Sequence, residues 1–495
     1  MIPATVRRDW LRHDIAASVV VFLVALPLCV GVAAASGVPA ELGLVTGIVG
    51  GLVTGLLPGS SLQVSGPAAG LTVLVFEAVH RHGLSTLGVL VLAAGLLQLA
   101  LGLLRMGRWF RAISVAVVEG MLAGIGLTIV AGQLYAMADA KAPGSGMAKL
   151  AGLPGLVTGS LGSSRTVAAL GVGAGTFALL AGWPRLPARV RLLPAPLAAM
   201  ALATIAVASF DLPVAKLQVQ GLLDVIRLPA AHDLSRLAEP GVLGTVVAFA
   251  VIASAESLFS AAAVDRMHDG PRTAYDRELI AQGTGNVVCG ALGALPMTAV
   301  IVRSAANVQA GARTKASRVL HGGWLLLFAA LFPAALGAIP LAALAAVLVQ
   351  AGCKLVPTRQ LITFWRHHRA EAVILAFTAA AVLTLNLFEG VLLGLLLAIV
   401  KAAWETSHTR VEIVDGRHDE PTQVLLSGNA TFLRLPKMID ALEALPRDQQ
   451  IELDVSGLHH LDHACRAALL TWADRHHQAG TPKVSIQMPP SNADA

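Results

Sequence analysis

One carboxylate stands alone in an apolar part of the sequence. Residues 242–264 contain a single charged side chain, that of Glu256, and Ser260 follows it four positions later. Positions four apart share a helix face, so the carboxylate and the hydroxyl would point in the same direction. In a membrane helix an unpaired carboxylate costs at least about 2.5 kcal/mol, so its default interpretation is a proton or cation site. The alternative is a structural, hydrogen-bonded glutamate.

A second charged residue, Arg303, follows a break in another apolar stretch. Residues 279–302 carry no charge, and Gly293 and Pro296 interrupt them before β-branched residues lead to Arg303. This order predicts extended backbone and then a helix that begins near Arg303. A guanidinium beside the free N–H groups of a helix start is suited to an oxyanion. The alternative is that Arg303 only neutralises Glu256.

A similar break occurs in the first half of the chain, at residues 60–70 with the sequence SSLQVSGPAAG. Leu62 to Val64 favour extended backbone. Gly66 and Pro67 then predict a helix with proline in its first turn, where the missing N–H costs little. At membrane depth such irregular backbone must be buried or line a cavity. Each break therefore predicts a helix start that offers partial positive charge to an anion.

Composition explains why these breaks lie at membrane depth. Hydrophobic residues make up 55% of the chain, charged residues 13%, and the mean hydropathy is +0.71, which together predict a polytopic membrane protein. We predict fourteen spans, with the two breaks in the third and the tenth. They lie near residues 15–37, 41–58, 66–80, 84–104, 112–136, 166–183, 192–210, 242–264, 276–294, 303–312, 320–334, 338–353, 370–386 and 387–403.

Basic clusters alternate with these spans. One cluster precedes the first span and another follows each even-numbered span up to the twelfth, which predicts cytoplasmic loops at these positions and cytoplasmic termini. The segments 139–165 and 211–239 are then external loops. The basic residues are Arg7, Arg8, Arg12, Arg105, Arg108, Arg111, Arg185, Arg189, Arg191, Arg266, Arg272, Arg277, Arg313, Lys315, Arg318, Lys354, Arg359, Arg366 and Arg369.

The C-terminal part differs in charge and pattern. We divide the chain into a transmembrane domain, 1–404, and a soluble domain, 405–495, whose 8 basic and 13 acidic residues give 8 − 13 = −5. Strands at 411–414, 423–426, 450–455 and 484–487 and helices at 436–445 and 464–477 predict a small α/β module. His459, His460 and His463 are interpreted as solvated loop residues rather than metal ligands. The charge pattern does not indicate nucleic-acid binding.

Several motifs resemble the SulP family of sulfate-permease-type anion transporters. The resemblance rests on residues 65–69 (SGPAA), 256–257 (ES), 278–286 (ELIAQGTGN) and 303–314 (RSAANVQAGART), and it covers nearly the whole chain. It implies a seven-plus-seven inverted repeat with core and gate domains, a C-terminal STAS domain and a homodimer. It also implies a substrate site between the two breaks and a coupling-ion site beside it. The substrate residues would be Ser65, Gly66, Pro67, Ala68, Ala69, Val302 and Arg303, and the coupling-ion residues Glu256, Ser260 and Thr298.

The choice of anion depends on the first span. Many sulfate-type members have glutamine after the proline of that span, whereas here Leu28 follows Pro27. The sequence is more similar to the bicarbonate-transporting, carbonic-anhydrase-associated bacterial branch. We therefore expect sodium–bicarbonate symport by alternating access in a bacterial inner membrane, without a bound cofactor and with a carbonic anhydrase as functional partner.

Other functions remain open. Proton-coupled uptake of sulfate or a dicarboxylate is the main alternative, followed by an uncoupled anion channel or a membrane-anchored STAS signalling platform. No catalytic constellation can be assembled from the motifs, so an enzyme is not expected.

Overall fold

The computed structural model describes residues 4–108, 114–143, 145–160, 163–187, 189–190, 193–219, 221–414, 421–446, 450–478 and 484–487. The chain forms two compact units, Met1–Leu395 and Leu396–Ala495.

The first unit is built from apolar helices. Its N-terminal half contains α1 (Ala4–Ala35), α2 (Ala40–Val49), α3 (Thr72–His82), α4 (Leu84–Leu103), α5 (Val115–Met137), α6 (Gly146–Ser160), α7 (Ser164–Gly182), α8 (Ala195–Ser209) and α9 (Ala231–Ser235). Its C-terminal half contains α10 (Pro240–Val264), α11 (Tyr275–Ala291), α12 (Ile301–Gln309), α13 (Ala316–Leu331), α14 (Pro333–Gly337), α15 (Leu341–Leu355), α16 (Thr358–His367) and α17 (Arg369–Thr384). The helix α18 (Leu387–Thr406) continues into the second unit.

These helices account for the predicted spans. Within the described residues, seven helical segments are long and apolar enough to cross a membrane, and three shorter apolar helices lie among them. Each of the fourteen predicted spans overlaps at least one helix, in order along the chain. The predicted class, a polytopic helical membrane protein with a small α/β domain, is confirmed.

Two short strands lie where the sequence predicts the breaks. β1 (Ser65–Pro67) and β2 (Met297–Ala299) pair antiparallel, with Gly66 opposite Thr298. A 3₁₀ turn (Ala69–Leu71) and α3 follow β1, and α12 follows β2 almost directly. The two segments therefore have the same order of strand and helix and opposite directions, as an inverted repeat requires.

One detail of the first break was wrong. Pro67 does not open a helix; it is the last residue of β1 and lies opposite Met297. The strand is only three residues long, and Pro67 occupies its end, where a missing N–H is tolerated. The helix begins beyond it, first as the 3₁₀ turn and then as α3 from Thr72.

Several segments predicted as loops contain helix: α9 lies in the predicted external loop 211–239, and α16 lies between the twelfth and thirteenth predicted spans. α6 occupies most of the predicted external loop 139–165, where Tyr135 Oη donates a hydrogen bond to the Lys149 carbonyl at 2.7 Å and Arg165 pairs with Asp139. The Gly and Pro residues that indicated a loop are accommodated because α6 packs on α5. Arg318, predicted in a basic loop, is buried in α13, and its Nη2 donates to the Leu57 carbonyl at 2.9 Å.

The second unit contains a four-stranded sheet and two helices. The strands are β3 (Thr409–Val414), β4 (Thr422–Ala430), β5 (Ile451–Leu461) and β6 (Val484–Gln487), and the helices are α19 (Leu435–Glu443) and α20 (His463–Gln478). The sheet order is β3-β4-β5-β6, with β3 antiparallel to β4 and the other pairs parallel. All six predicted elements are present. The domain boundary at residue 405 stays a prediction, since α18 ends at Thr406 and β3 begins at Thr409.

Candidate anion-binding site

A cavity of about 130 Å³ lies beside the two breaks. It brings together six of the predicted site residues: Pro67, Ala69, Glu256, Ser260, Val302 and Arg303. The other four, Ser65, Gly66, Ala68 and Thr298, are not part of its lining. Most of the wall is apolar, so a charged ligand would be selected by a few polar groups.

Arg303 is the strongest of these groups. It is the third residue of α12, so it lies in the first turn of the second broken helix, and it is fully buried. Its Nη2 donates to the Pro67 carbonyl at 3.3 Å, whereas Nε and Nη1 have no hydrogen-bond partner among the described residues. A buried guanidinium with unpaired N–H groups is costly, and an oxyanion in the cavity would provide the missing acceptors.

Gly66 makes room for this guanidinium. A Cβ atom at Gly66 would lie 2.1 Å from Arg303 Nη1, closer than any non-bonded contact allows. Glycine suits this position because the arginine of the other break fills the space where a side chain would lie.

Glu256 has a similar relation to Gly70. A Cβ atom at Gly70 would lie 2.5 Å from Glu256 Oε1 and 2.7 Å from Oε2. Oε2 is buried without a hydrogen-bond partner among the described residues, and Glu256 forms no direct ion pair with Arg303. Arg303 therefore does not neutralise Glu256 through a direct ion pair, and that interpretation is wrong. Both groups remain available to ligands.

Oxygen atoms gather at the end of β2. Ser260 Oγ donates to the Ala299 carbonyl at 3.0 Å, and Thr298 Oγ1 donates to the same oxygen at 3.2 Å. Hydroxyl, carbonyl and carboxylate oxygens are the ligands of hard cations. Ser260 and Glu256 also line the cavity, so this part of it can accept either a cation or a proton on the carboxylate.

Buried amides and hydroxyls hold the two strands in place. The backbone N–H of Val64 donates to Ser304 Oγ at 2.9 Å, and Asn307 Nδ2 donates to the Leu62 carbonyl at 2.9 Å. On the other strand, Asn286 exchanges two hydrogen bonds with the Met297 backbone. These contacts satisfy backbone groups that a continuous helix would satisfy internally.

Ser65 also belongs to this support. Its hydroxyl accepts a hydrogen bond from Gln282 Nε2 at 2.7 Å and so is engaged by α11. The hydroxyl is thus occupied by the protein, and the predicted direct contact of Ser65 with substrate has no support in the cavity lining.

Sequence reasoning missed part of the wall. Leu28, Met121 and Phe259 contribute apolar surface, and Gln350 and Lys354 lie one turn apart on α15. Lys354 is exposed and is the third charged residue of the lining, with Glu256 and Arg303. We interpreted Lys354 only as a loop residue. Its place four positions after Gln350 was the available signal.

A bundle of apolar helices whose two antiparallel breaks enclose a buried arginine and a carboxylate defines a membrane transporter for anions. Residues 11–378 match the Sulfate permease family, and residues 413–493 match the STAS domain of the Mlab type. The chain belongs to the Sulfate permease family and carries a C-terminal STAS domain. The expected family is confirmed.

Named relatives align with most of the chain. It is 28% identical over 408 residues to the putative sulfate transporter YvdB of Bacillus subtilis, covering 79% of this chain and 73% of that protein. It is also 28% identical over 442 residues to the bicarbonate transporter BicA of Synechocystis, covering 85% and 74%.

A solved structure shares the fold of both units. The murine Solute Carrier 26 family member A9 anion transporter, in an inward-facing state, matches with a TM-score of 0.78 and 16% identity over 97% of this chain and 85% of that one. At this identity the likeness supports the architecture alone.

Proposed function

We propose that this protein is a secondary active transporter that carries bicarbonate with sodium by alternating access. The observation that supports it most is the buried guanidinium of Arg303, a residue that lines the cavity and has two nitrogen atoms without a hydrogen-bond partner among the described residues. Two helix starts converge on the same cavity, and each offers roughly half a positive charge. A small planar oxyanion would supply acceptors for these groups.

Sodium is proposed as the coupling ion because the cavity wall offers oxygen ligands. Glu256 and Ser260 line the cavity, and the Ser260 and Thr298 hydroxyls both donate to the Ala299 carbonyl. A bound cation would neutralise Glu256 beside the anion. Cation and anion would then favour each other's binding, which couples their movement.

A second candidate is proton-coupled uptake of sulfate. It is favoured by the unpaired Oε2 of Glu256, which could take a proton instead of coordinating a cation, and by the similarity to a putative sulfate transporter. The two candidates use the same cavity and differ in the ion that neutralises Glu256.

The cavity also indicates the accessible side of the membrane. Lys354, at the C-terminal end of α15, lines it and belongs to a basic cluster that the alternation of charges assigns to the cytoplasm.

We propose that the protein lies in a bacterial inner membrane, with its termini and its STAS domain on the cytoplasmic side. We also propose that it forms a homodimer and works together with a carbonic anhydrase. A cysteine introduced in the STAS domain should be protected from impermeant reagents in intact cells; labelling there would contradict this topology.

Uptake by purified protein in proteoliposomes distinguishes the candidates. Radiolabelled bicarbonate, sulfate, chloride and fumarate are offered with an inward sodium gradient, a proton gradient or neither. We expect bicarbonate to accumulate only with sodium. Sulfate accumulation driven by protons would favour the second candidate, and rapid equilibration without any gradient would indicate a channel. Liposomes without protein are the control.

A further inference from the structure

The second unit contains a cavity of its own, of about 570 Å³, between the start of β3, the middle of β4 and α19. Among the described residues, the charged side chains that line it are basic or potentially basic: His408, Arg410, Arg434 and Lys437. Its polar wall includes Ser427 and Thr409. The unit as a whole is acidic, so this concentration of positive charge is not explained by composition.

Among the residues of this unit that the structure describes, no acidic side chain forms an ion pair with these basic groups. Arg410 and Lys437 are exposed and form no ion pair among the described residues. Arg434 is held more firmly, since its Nε donates to the Ser407 carbonyl at 2.8 Å. The Nη groups of Arg434 extend from this anchor. The cavity thus combines one hydrogen-bonded and two exposed cations, an arrangement suited to a phosphate group.

A tryptophan at the end of an apolar helix packs against one of the lining residues, Arg434. The Arg434 guanidinium carbon lies 4.3 Å from the centroid of the Trp404 ring, in the last turn of α18. Residues 396–404 of this apolar helix expose Leu396 (57%), Ile399 (56%), Val400 (53%) and Trp404 (51%). Exposed apolar side chains on a spanning helix face lipid, and tryptophan concentrates at the headgroup level.

We propose that this cavity binds the phosphate of an anionic phospholipid headgroup. The lipid would enter along α18, with its acyl chains against the exposed apolar face and its phosphate between Arg410, Arg434 and Lys437. A soluble phosphate would use the same cations but would gain nothing from the apolar face that leads to them. Bound lipid would fasten the STAS domain to the membrane surface, so transporter conformation could respond to the anionic lipid content.

Lipid binding to the full-length protein tests this site. Purified protein, delipidated in neutral detergent, is titrated with phosphatidylglycerol or phosphatidylcholine, and bound lipid is counted by native mass spectrometry. The double variant Arg410→Gln/Lys437→Gln should weaken the tightest phosphatidylglycerol site roughly thirtyfold, from the contribution of two basic residues near an anionic surface. The matched control, Arg466→Gln/Arg475→Gln, removes two exposed charges from α20 and should leave the site within about twofold.

A second variant keeps every cation. Ser427→Glu places a negative charge in the same cavity and should abolish the site with the fold intact, as judged by circular dichroism. Equal loss in the control pair, equal binding of phosphatidylcholine, or unchanged binding in Ser427→Glu would overturn the proposal. Displacement of the lipid by glycerol 3-phosphate at similar concentration would also overturn it, because the cavity would then be a site for soluble phosphates.

Discussion

The two breaks of the membrane unit have the same backbone and opposite chemistry. The first, at β1 and the 3₁₀ turn, consists of small residues, with Gly66 and Gly70 at its closest contacts. The second, at β2 and α12, carries Arg303. Cβ atoms at the two glycines would lie 2.1 Å from Arg303 Nη1 and 2.5 Å from Glu256 Oε1, respectively. The first break therefore provides space, and the other elements fill it with charge.

This difference shows how an inverted repeat can form an asymmetric site. Two related strand–helix segments pair antiparallel, and one cavity is lined both by the 3₁₀ turn that follows β1 and by the first turn of α12. A symmetric pair of arginines would place two buried cations in contact. One arginine, accommodated by a glycine of the partner segment, leaves room for an anion, and the carboxylate of Glu256 on α10 packs against Gly70.

The largest effect is expected from Glu256→Gln. The amide cannot carry charge and is a poorer cation ligand, so gradient-driven accumulation should be lost while equilibrative exchange of the anion persists. Uptake and counterflow in proteoliposomes measure the two separately. Gly70→Ala, which would displace the carboxylate, should reduce the apparent affinity for the coupling ion. If Glu256→Gln accumulates substrate with unchanged ion dependence, the coupling ion binds elsewhere.

The next largest effect is expected from Arg303→Met, which keeps the bulk and removes the charge. Loss of charge-assisted hydrogen bonds should weaken anion binding roughly 10- to 150-fold. Arg303→Lys should lie between this variant and the parent because it keeps the charge but not the planar fork. Equilibrium binding to purified protein is the measurement, since reduced transport could also reflect misfolding. Unaltered anion affinity in Arg303→Met would show that the anion does not bind in this cavity.

Gly66→Ala tests whether the first break acts through the second. The added methyl must move the guanidinium, so we expect roughly tenfold weaker anion binding with a smaller change in coupling-ion affinity. Gly70→Ala should show the reverse preference. Gly66→Val should block transport altogether. If Gly66→Ala and Gly70→Ala change both affinities equally, the division of roles between the two contacts is wrong.

Part of this arrangement was predictable from the sequence. Gly66, Pro67, Gly293 and Pro296 break apolar runs, so the positions of the two breaks followed from backbone chemistry. Pro67 was misplaced because a proline at a strand end and a proline in a first helical turn have the same local signature. The helix α6 was not predicted because its Gly and Pro residues are typical of a loop. They are tolerated in this helix through its packing on α5.

The contacts of the site were less accessible to sequence reasoning. Arg303 and Glu256 were found because charge is conspicuous in an apolar segment. The reason for a glycine at position 66 was not found, because it depends on contact with Arg303, more than two hundred positions away in the sequence. Gln350 and Lys354 line the cavity from α15, and apart from their spacing of one helical turn nothing in the local sequence separates them from ordinary helix-end residues.

The smallest effect is expected at the rim. Lys354→Gln removes an exposed charge that only attracts the anion from solution, so apparent affinity should fall about two- to threefold and the loss should diminish at high salt. The salt dependence of uptake at low substrate concentration measures it. A loss as large as that of Arg303→Met would mean that the anion binds at the rim rather than between the two breaks.

Anion-induced thermal stabilisation is the most direct test of whether the anion binds at Arg303, because the measurement needs neither coupling nor transport. Purified parent protein and Arg303→Met are heated with and without each candidate anion, and the apparent Tm is recorded. We expect the transported anion to raise the Tm of the parent protein but not the Tm of Arg303→Met. Without anion, the Tm of Arg303→Met should equal or exceed that of the parent, since an incompletely paired buried cation has been removed. An equal anion-induced rise in both proteins would contradict the account.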